Sequence, residues 1–198
     1  MDIFLSLLAL VFCIPILALI ALLIKLDSPG PAFYTQNRVK KGGKEFDMFK
    51  FRTMFVNAEE ILRSDPVLWA EYQKDFKIKN DPRVTKVGKF LRKSSLDELP
   101  QIINILKGEM SIVGPRAYRK EELEHQVKTY PNVIKQLDLV LTIKPGLTGA
   151  WQVSGRSNIS FEKRMEIDYN YAKKKSTMYD ILLIFLTIPA VFRSKGAW

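Results

Sequence analysis

The chain has 198 residues, enough for one domain of ordinary size with little room for a second. Lysine and arginine outnumber aspartate and glutamate by 31 to 21, a formal charge of +10. That balance favours an anionic partner: nucleic acid, an acidic membrane surface or a phosphorylated substrate. The single cysteine, Cys13, excludes an intramolecular disulfide and any cysteine-rich metal site. Lying in an apolar run, it reads as a small hydrophobe.

The first element is that run, uncharged from Ile3 to Ile24. As a straight helix it would be about 33 Å long, enough for a hydrocarbon core of about 30 Å. No basic segment precedes it and no small-residue cleavage site follows it, so it does not read as a secretory signal. The nearest basic residues (Lys25, Arg38, Lys40, Lys41, Lys44) all follow the run, which places the following domain in the cytoplasm. Pro15, near its middle, removes one helical hydrogen bond and bends the axis. Two arrangements stay open on the residues: a plain span, or a re-entrant helix that enters and leaves through one face.

Ser28-Pro29-Gly30-Pro31 ends the helix. Strands are predicted at Ala32–Asn37 and Lys44–Met54, joined through Gly42-Gly43 as a hairpin. Helices are predicted at Val56–Arg63, Pro66–Phe76 (Asp65 as N-cap), Thr85–Arg92, Leu99–Lys107 and Tyr118–Thr129. Lys144–Gly149 reads as a loop, followed by helices at Ser160–Lys174 and Met178–Phe192. The apolar Ile181–Val191 is too short to span; it suits either an interfacial helix or an ordinary core helix. The expected class is therefore α/β, mostly helical with a short β-hairpin. Residues 1–26 form the membrane element and 27–198 the catalytic domain.

No phosphate-binding P-loop, dinucleotide fingerprint, zinc-protease motif or serine-nucleophile elbow occurs. His125, the only histidine, sits among Glu121, Glu122, Glu124 and Lys128 and reads as a solvated helix residue. The richest stretch is Arg92 to Gln101. Structurally, Ser95-x-x-Glu98 is a capping box with Asp97 in the first turn. Pro100 fits poorly into a helix capped at Ser95, so the Asp97-Glu98 turn should not be ordinary helix. Functionally, a carboxylate pair among basic groups stays ionised, one member acting as nucleophile while the other helps to hold Mg²⁺. Arg92, Arg116, Arg156, Lys50 and Arg52 supply cations suited to phosphate.

These residues resemble the bacterial sugar transferases, the small monotopic polyprenyl-phosphate phosphoglycosyl transferases. The resemblance runs in order through Ile24–Arg38, Lys50–Met54, Asp81–Gly88, Arg92–Gln101, Asn104–Arg116 and Lys144–Arg156. It implies that Asp97 attacks the β-phosphate of a UDP-sugar, expelling UMP, and that polyprenyl (undecaprenyl) phosphate then takes the sugar-phosphate. Glu98 would bind Mg²⁺ and Arg92 the lipid phosphate; Lys50, Arg52, Arg116, Arg156 and Asp168 would line the pocket. It also implies a re-entrant helix bent at Pro15, on the cytoplasmic face of a bacterial inner membrane. The reaction would be the first membrane step of exopolysaccharide, capsule, O-antigen or glycoconjugate assembly. Two departures stand out: Ile14 replaces a serine before Pro15, and Ala117 replaces a proline after Gly-Pro-Arg. Rival readings are a membrane-tethered module binding anionic lipid and an enzyme that releases UDP instead of UMP. Nucleic-acid binding is disfavoured, because the basic residues are dispersed and no recognition motif appears.

Overall fold

The computed structural model describes residues 2–75, 78, 80–155 and 159–193. Helix α1 (Asp2–Asp27) includes Pro15 and is, among the described residues, the one helix long and apolar enough to cross a membrane. Its surface is largely uncovered: Phe4 is 73% exposed and Phe12 70%. Its two ends nevertheless meet the same domain. At the start, Ser111 Oγ donates to Asp2 Oδ2 at 2.8 Å. At the finish, the Val87 N–H donates to Asp27 Oδ2 at 3.0 Å. Between them, Ile20 and Ile24 pack with Ala32, Phe51 and Leu91 in one apolar cluster.

Strands β1 (Phe33–Val39) and β2 (Glu45–Phe51) form the expected antiparallel hairpin, with Gly42 and Gly43 both at positive φ in the turn. Opposed pairs Tyr34–Lys50, Gln36–Met48 and Arg38–Phe46 share one face. Helices α2 (Ala58–Ser64) and α3 (Pro66–Asp75) follow, and Asp65 Oδ1 caps α3 by accepting from the Val67 and Leu68 N–H groups. Helix α4 (Lys86–Ser94) is capped by Thr85 Oγ1, which accepts from the Gly88 N–H. A Cβ on Gly88 would lie 2.0 Å from the Thr53 carbonyl oxygen, so only glycine lets α4 press this closely on the end of β2.

The capping box expected at Ser95 and Glu98 does not form. Ser95 instead closes α4 in the left-handed region (φ 59), its N–H returning to the Arg92 carbonyl. Residues Leu96–Gln101 make a 3₁₀ turn holding Asp97, Glu98 and Pro100, and α5 (Ile102–Leu106) continues from it. The expectation that Pro100 bars ordinary helix here is met.

Strand β3 (Ser111–Val113) pairs in parallel with β4 (Gly146–Thr148), a pairing absent from the sequence expectation, which left 144–149 as a loop. Helices α6 (Lys120–Thr129) and α7 (Ile134–Val140) lie between them, and α8 (Ala150–Val153) follows β4. Helix α9 (Phe161–Lys174) has Ser160 as N-cap, and α10 (Thr177–Arg193) closes the described chain. Leu183 of α10 is buried with Val113, Ala150 and Tyr171. The opposite face bares Met178, Leu182, Phe185 and Ile188, so α10 is apolar on both faces and is not enclosed as a core helix.

Candidate active site

Strand β2 packs on the 3₁₀ turn, and this contact sets the chemistry. Asn104, fully buried in α5, fixes the register: its Oδ1 accepts from the Phe49 N–H (2.9 Å) and its Nδ2 donates to the Asp47 carbonyl (2.8 Å) and Glu109 Oε2. Lys50, next along β2, then reaches both carboxylates of the turn. Its Nζ lies 2.8 Å from Glu98 Oε1 and 3.6 Å from Asp97 Oδ2. Asp97 is only 8% exposed, and burial pushes its carboxyl above the usual range. Lys50 opposes that rise, the Glu98 charge adds to it, and Arg92 opposes it again.

Arg92 sits in the last turn of α4, beside the site, and donates from Nε to Thr53 Oγ1 at 3.0 Å. Arg52, by contrast, points away. Its guanidinium donates to the Ser28 carbonyl (2.8 Å), to the Pro29 carbonyl and, at 3.5 Å, to the Ile24 carbonyl. It therefore closes the C-terminal end of α1 instead of lining a pocket. Arg156 lies outside the described residues.

The remaining expected residues gather around α9. Asp168 is fully buried; its Oδ2 accepts from the Arg116 N–H (3.0 Å) and the Tyr118 hydroxyl (2.9 Å). Burial raises its carboxyl to about 7, against the pull of those two donors and of Arg164 and Arg116. Asp168 thus holds the Gly114-Pro115-Arg116 turn. The Arg116 guanidinium lies over the Trp151 ring, 4.8 Å from its centre, and Arg164 lies 5.6 Å from the same ring.

Sequence reasoning missed several residues here. Arg38 is 5% exposed, donates to the Ala117 carbonyl (2.9 Å) and has its guanidinium pKa lowered to about 9, by burial first and then by Arg116 and Arg119. Glu122 is buried 3.6 Å from Arg164; burial alone would raise its carboxyl, but Arg116, Arg38, Arg164 and Arg119 together hold it below the usual range. The signal for Arg38 was available: strand alternation puts it on the face that carries Lys50. His125 is exposed on α6, as expected.

Among the described residues no three histidine, cysteine or carboxylate side chains converge as a metal site. Asp97 and Glu98 still suit Mg²⁺, a hard ion held by one or two protein carboxylates with phosphate oxygens and water completing its shell.

The family described as bacterial sugar transferase matches residues 1–194. The chain is 43% identical over 201 residues to the undecaprenyl-phosphate galactose phosphotransferase of Salmonella typhimurium, covering all of this chain and 40% of that protein. It is 41% identical over 202 residues to the UDP-glucose:undecaprenyl-phosphate glucose-1-phosphate transferase of Escherichia coli, again covering all of this chain and 40% of that protein. Against the exopolysaccharide production protein ExoY of Sinorhizobium fredii, identity is 41% over 201 residues, 100% of this chain and 86% of the relative. The chain thus spans about two fifths of the first two relatives and most of the third. It belongs to the bacterial sugar transferase family.

Proposed function

We propose that the protein is a phosphoglycosyl transferase that moves a sugar-1-phosphate from a UDP-sugar to undecaprenyl or a similar polyprenyl phosphate. The observation that carries this reading is the buried Asp97 carboxylate beside Glu98, both within reach of the Lys50 ammonium. An Asp97 oxygen attacks the β-phosphorus of the donor; the bond to the bridging oxygen breaks, and UMP leaves with that oxygen. A phosphate oxygen of the lipid then attacks the same phosphorus, forming the diphosphate and returning Asp97 as a carboxylate. The names of the Salmonella and Escherichia relatives support this donor and acceptor class.

Lys50 balances the paired carboxylates and steadies charge on the transferring phosphoryl group. Arg92, held by Thr53, is assigned to the lipid phosphate. The guanidiniums of Arg38, Arg116 and Arg119 crowd one another beyond Lys50 and are assigned to the nucleotide end of the donor. Glu98 would hold Mg²⁺, which when bound neutralises diphosphate charge.

The arrangement of α1 supports a re-entrant anchor. A bilayer-crossing helix would set Asp2 and Asp27 on opposite faces, about 30 Å apart, whereas both are bonded to the same domain. The domain then lies on one membrane face, which the basic residues after α1 mark as cytoplasmic.

The test is release of UMP from a panel of UDP-sugars by the full chain with undecaprenyl phosphate and Mg²⁺. UMP from one donor, lost in Asp97→Asn, is the expected result. Release of UDP in place of UMP would reject transfer of the phosphate.

A further inference from the structure

A cleft of about 340 Å³, which Asp97 does not line, opens between the first turns of α1 and α10. Asp2 and Ile3 line it from α1, Thr177 and Asp180 from α10, with Ser111, Lys144 and Lys175 between them. Two carboxylates and two ammonium groups thus face one space. Among the described residues, neither lysine forms an ion pair. The aspartates are held in place by hydroxyls instead: Ser111 Oγ donates to Asp2, and Tyr171 OH donates to Asp180 Oδ1 at 2.7 Å.

We propose that this cleft binds the headgroup of an ethanolamine phospholipid, its phosphate on Lys144 and Lys175 and its ammonium on Asp2 and Asp180. The proposal rests on the membrane attachment argued above. Both helices leave the cleft with apolar exposed surfaces, Phe4, Leu7 and Leu8 on α1 and Leu182, Phe185 and Ile188 on α10. Their shared starting point therefore lies at the boundary between polar domain and hydrocarbon, the depth of a headgroup. Helix α10 also presents its N-terminal, partly positive end there, which adds attraction for phosphate.

Charge chooses the headgroup. Two ammonium and two carboxylate side chains line the cleft, and a zwitterion answers both where a purely anionic lipid would leave the aspartates unanswered. A primary ammonium donates hydrogen bonds to carboxylates, which a trimethylammonium group cannot do.

The full chain is first floated with phosphatidylcholine vesicles, which reads membrane attachment alone. In detergent, bound lipid is then counted by native mass spectrometry against phosphatidylethanolamine, phosphatidylcholine and phosphatidylglycerol, with free phosphoethanolamine as the soluble arm. Phosphatidylethanolamine is expected to be retained about tenfold more tightly than the other two lipids and than the free headgroup. Lys144→Gln and Lys175→Gln each erode that preference. Asp180→Asn does the same while keeping an oxygen acceptor for Tyr171, so its loss of preference is not a folding effect. Equal retention of all three lipids, or a preference untouched by these variants, overturns the headgroup site and leaves membrane attachment standing. Phosphoethanolamine binding as tightly as the lipid shows a soluble ligand and rejects the lipid. Failure to float rejects the attachment and the headgroup site with it.

Discussion

Asp97 and Asp168 are both buried aspartates whose carboxyls burial pushes upward, yet their surroundings give them different work. Asp97 sits on a 3₁₀ turn with a second carboxylate beside it and a lysine 3.6 Å away. Asp168 sits inside α9 with no exposed surface, one oxygen occupied by a backbone N–H and a tyrosine hydroxyl. A perturbed carboxyl is thus no sufficient mark of a reacting group. What separates the two is their partners: the Lys50 ammonium reaches both Asp97 and its neighbour Glu98, whereas Asp168 accepts from the Arg116 N–H and the Tyr118 hydroxyl. The same contrast divides the arginines: Arg92 stands at the turn, whereas Arg52 is bonded to three carbonyls at the end of α1.

The largest effect should come from Asp97→Asn. UMP release is expected to fall by at least about 10³-fold with little change in Tm, since the amide keeps the shape and loses the nucleophile. In the wild type, the acidic limb of the rate profile should lie above the ordinary carboxylate range, because only ionised Asp97 attacks. Arg52→Gln tests the contrast among arginines. It should cost about 2–4 kcal/mol of stability, read as a lowered Tm, while the surviving folded enzyme keeps its KM for polyprenyl phosphate. A raised KM at unchanged Tm would put Arg52 back in the pocket.

Lys50→Met should lower kcat by about 10- to 100-fold and lower the Mg²⁺ concentration needed for half-maximal rate, since Glu98 loses the competing cation 2.8 Å away. Asp168→Asn should change activity least, by less than about tenfold, because a carbonyl oxygen still accepts from Arg116 and Tyr118. Its signature is in stability. The folded carboxyl is raised to about 7 from 3.8, so the folded state keeps a proton that the unfolded chain has released. The stabilisation is full below 3.8 and is lost as pH rises through about 7. Wild-type Tm should therefore drop between about pH 4 and 7, and Asp168→Asn should flatten that drop. A large loss of turnover with an unchanged Tm profile would instead make Asp168 part of the reacting set.

Elements specified locally were legible in the sequence. The hairpin turn at Gly42-Gly43, the Asp65 cap and the apolar first helix all follow from residues a few positions apart. The parallel pairing of Ser111–Val113 with Gly146–Thr148 was not legible, because each strand is three residues long and its partner lies far along the chain. The Ser95 capping box failed for a related reason: α4 uses Ser95 to end, so it cannot also begin the next helix. In the site, Asp97, Glu98, Lys50 and Arg92 were found together because three of them share one decapeptide. Strand alternation could have placed Arg38 on the face of Lys50, whereas Glu122 entered only through tertiary packing against Arg116 and Arg164. The choice between a spanning and a re-entrant α1 was open in the sequence, and the bonds at Asp2 and Asp27 are what support the re-entrant reading proposed above.

The central claim is that Asp97 itself carries the sugar-phosphate. Intact-mass spectrometry of the full chain incubated with Mg²⁺ and its UDP-sugar, without polyprenyl phosphate, tests it most directly. The account predicts an added mass of one sugar-phosphate on Asp97, one UMP released per chain, and loss of the adduct when polyprenyl phosphate is supplied. UMP release that requires the lipid from the outset, with no adduct at any time, would contradict it and make the transfer a direct displacement.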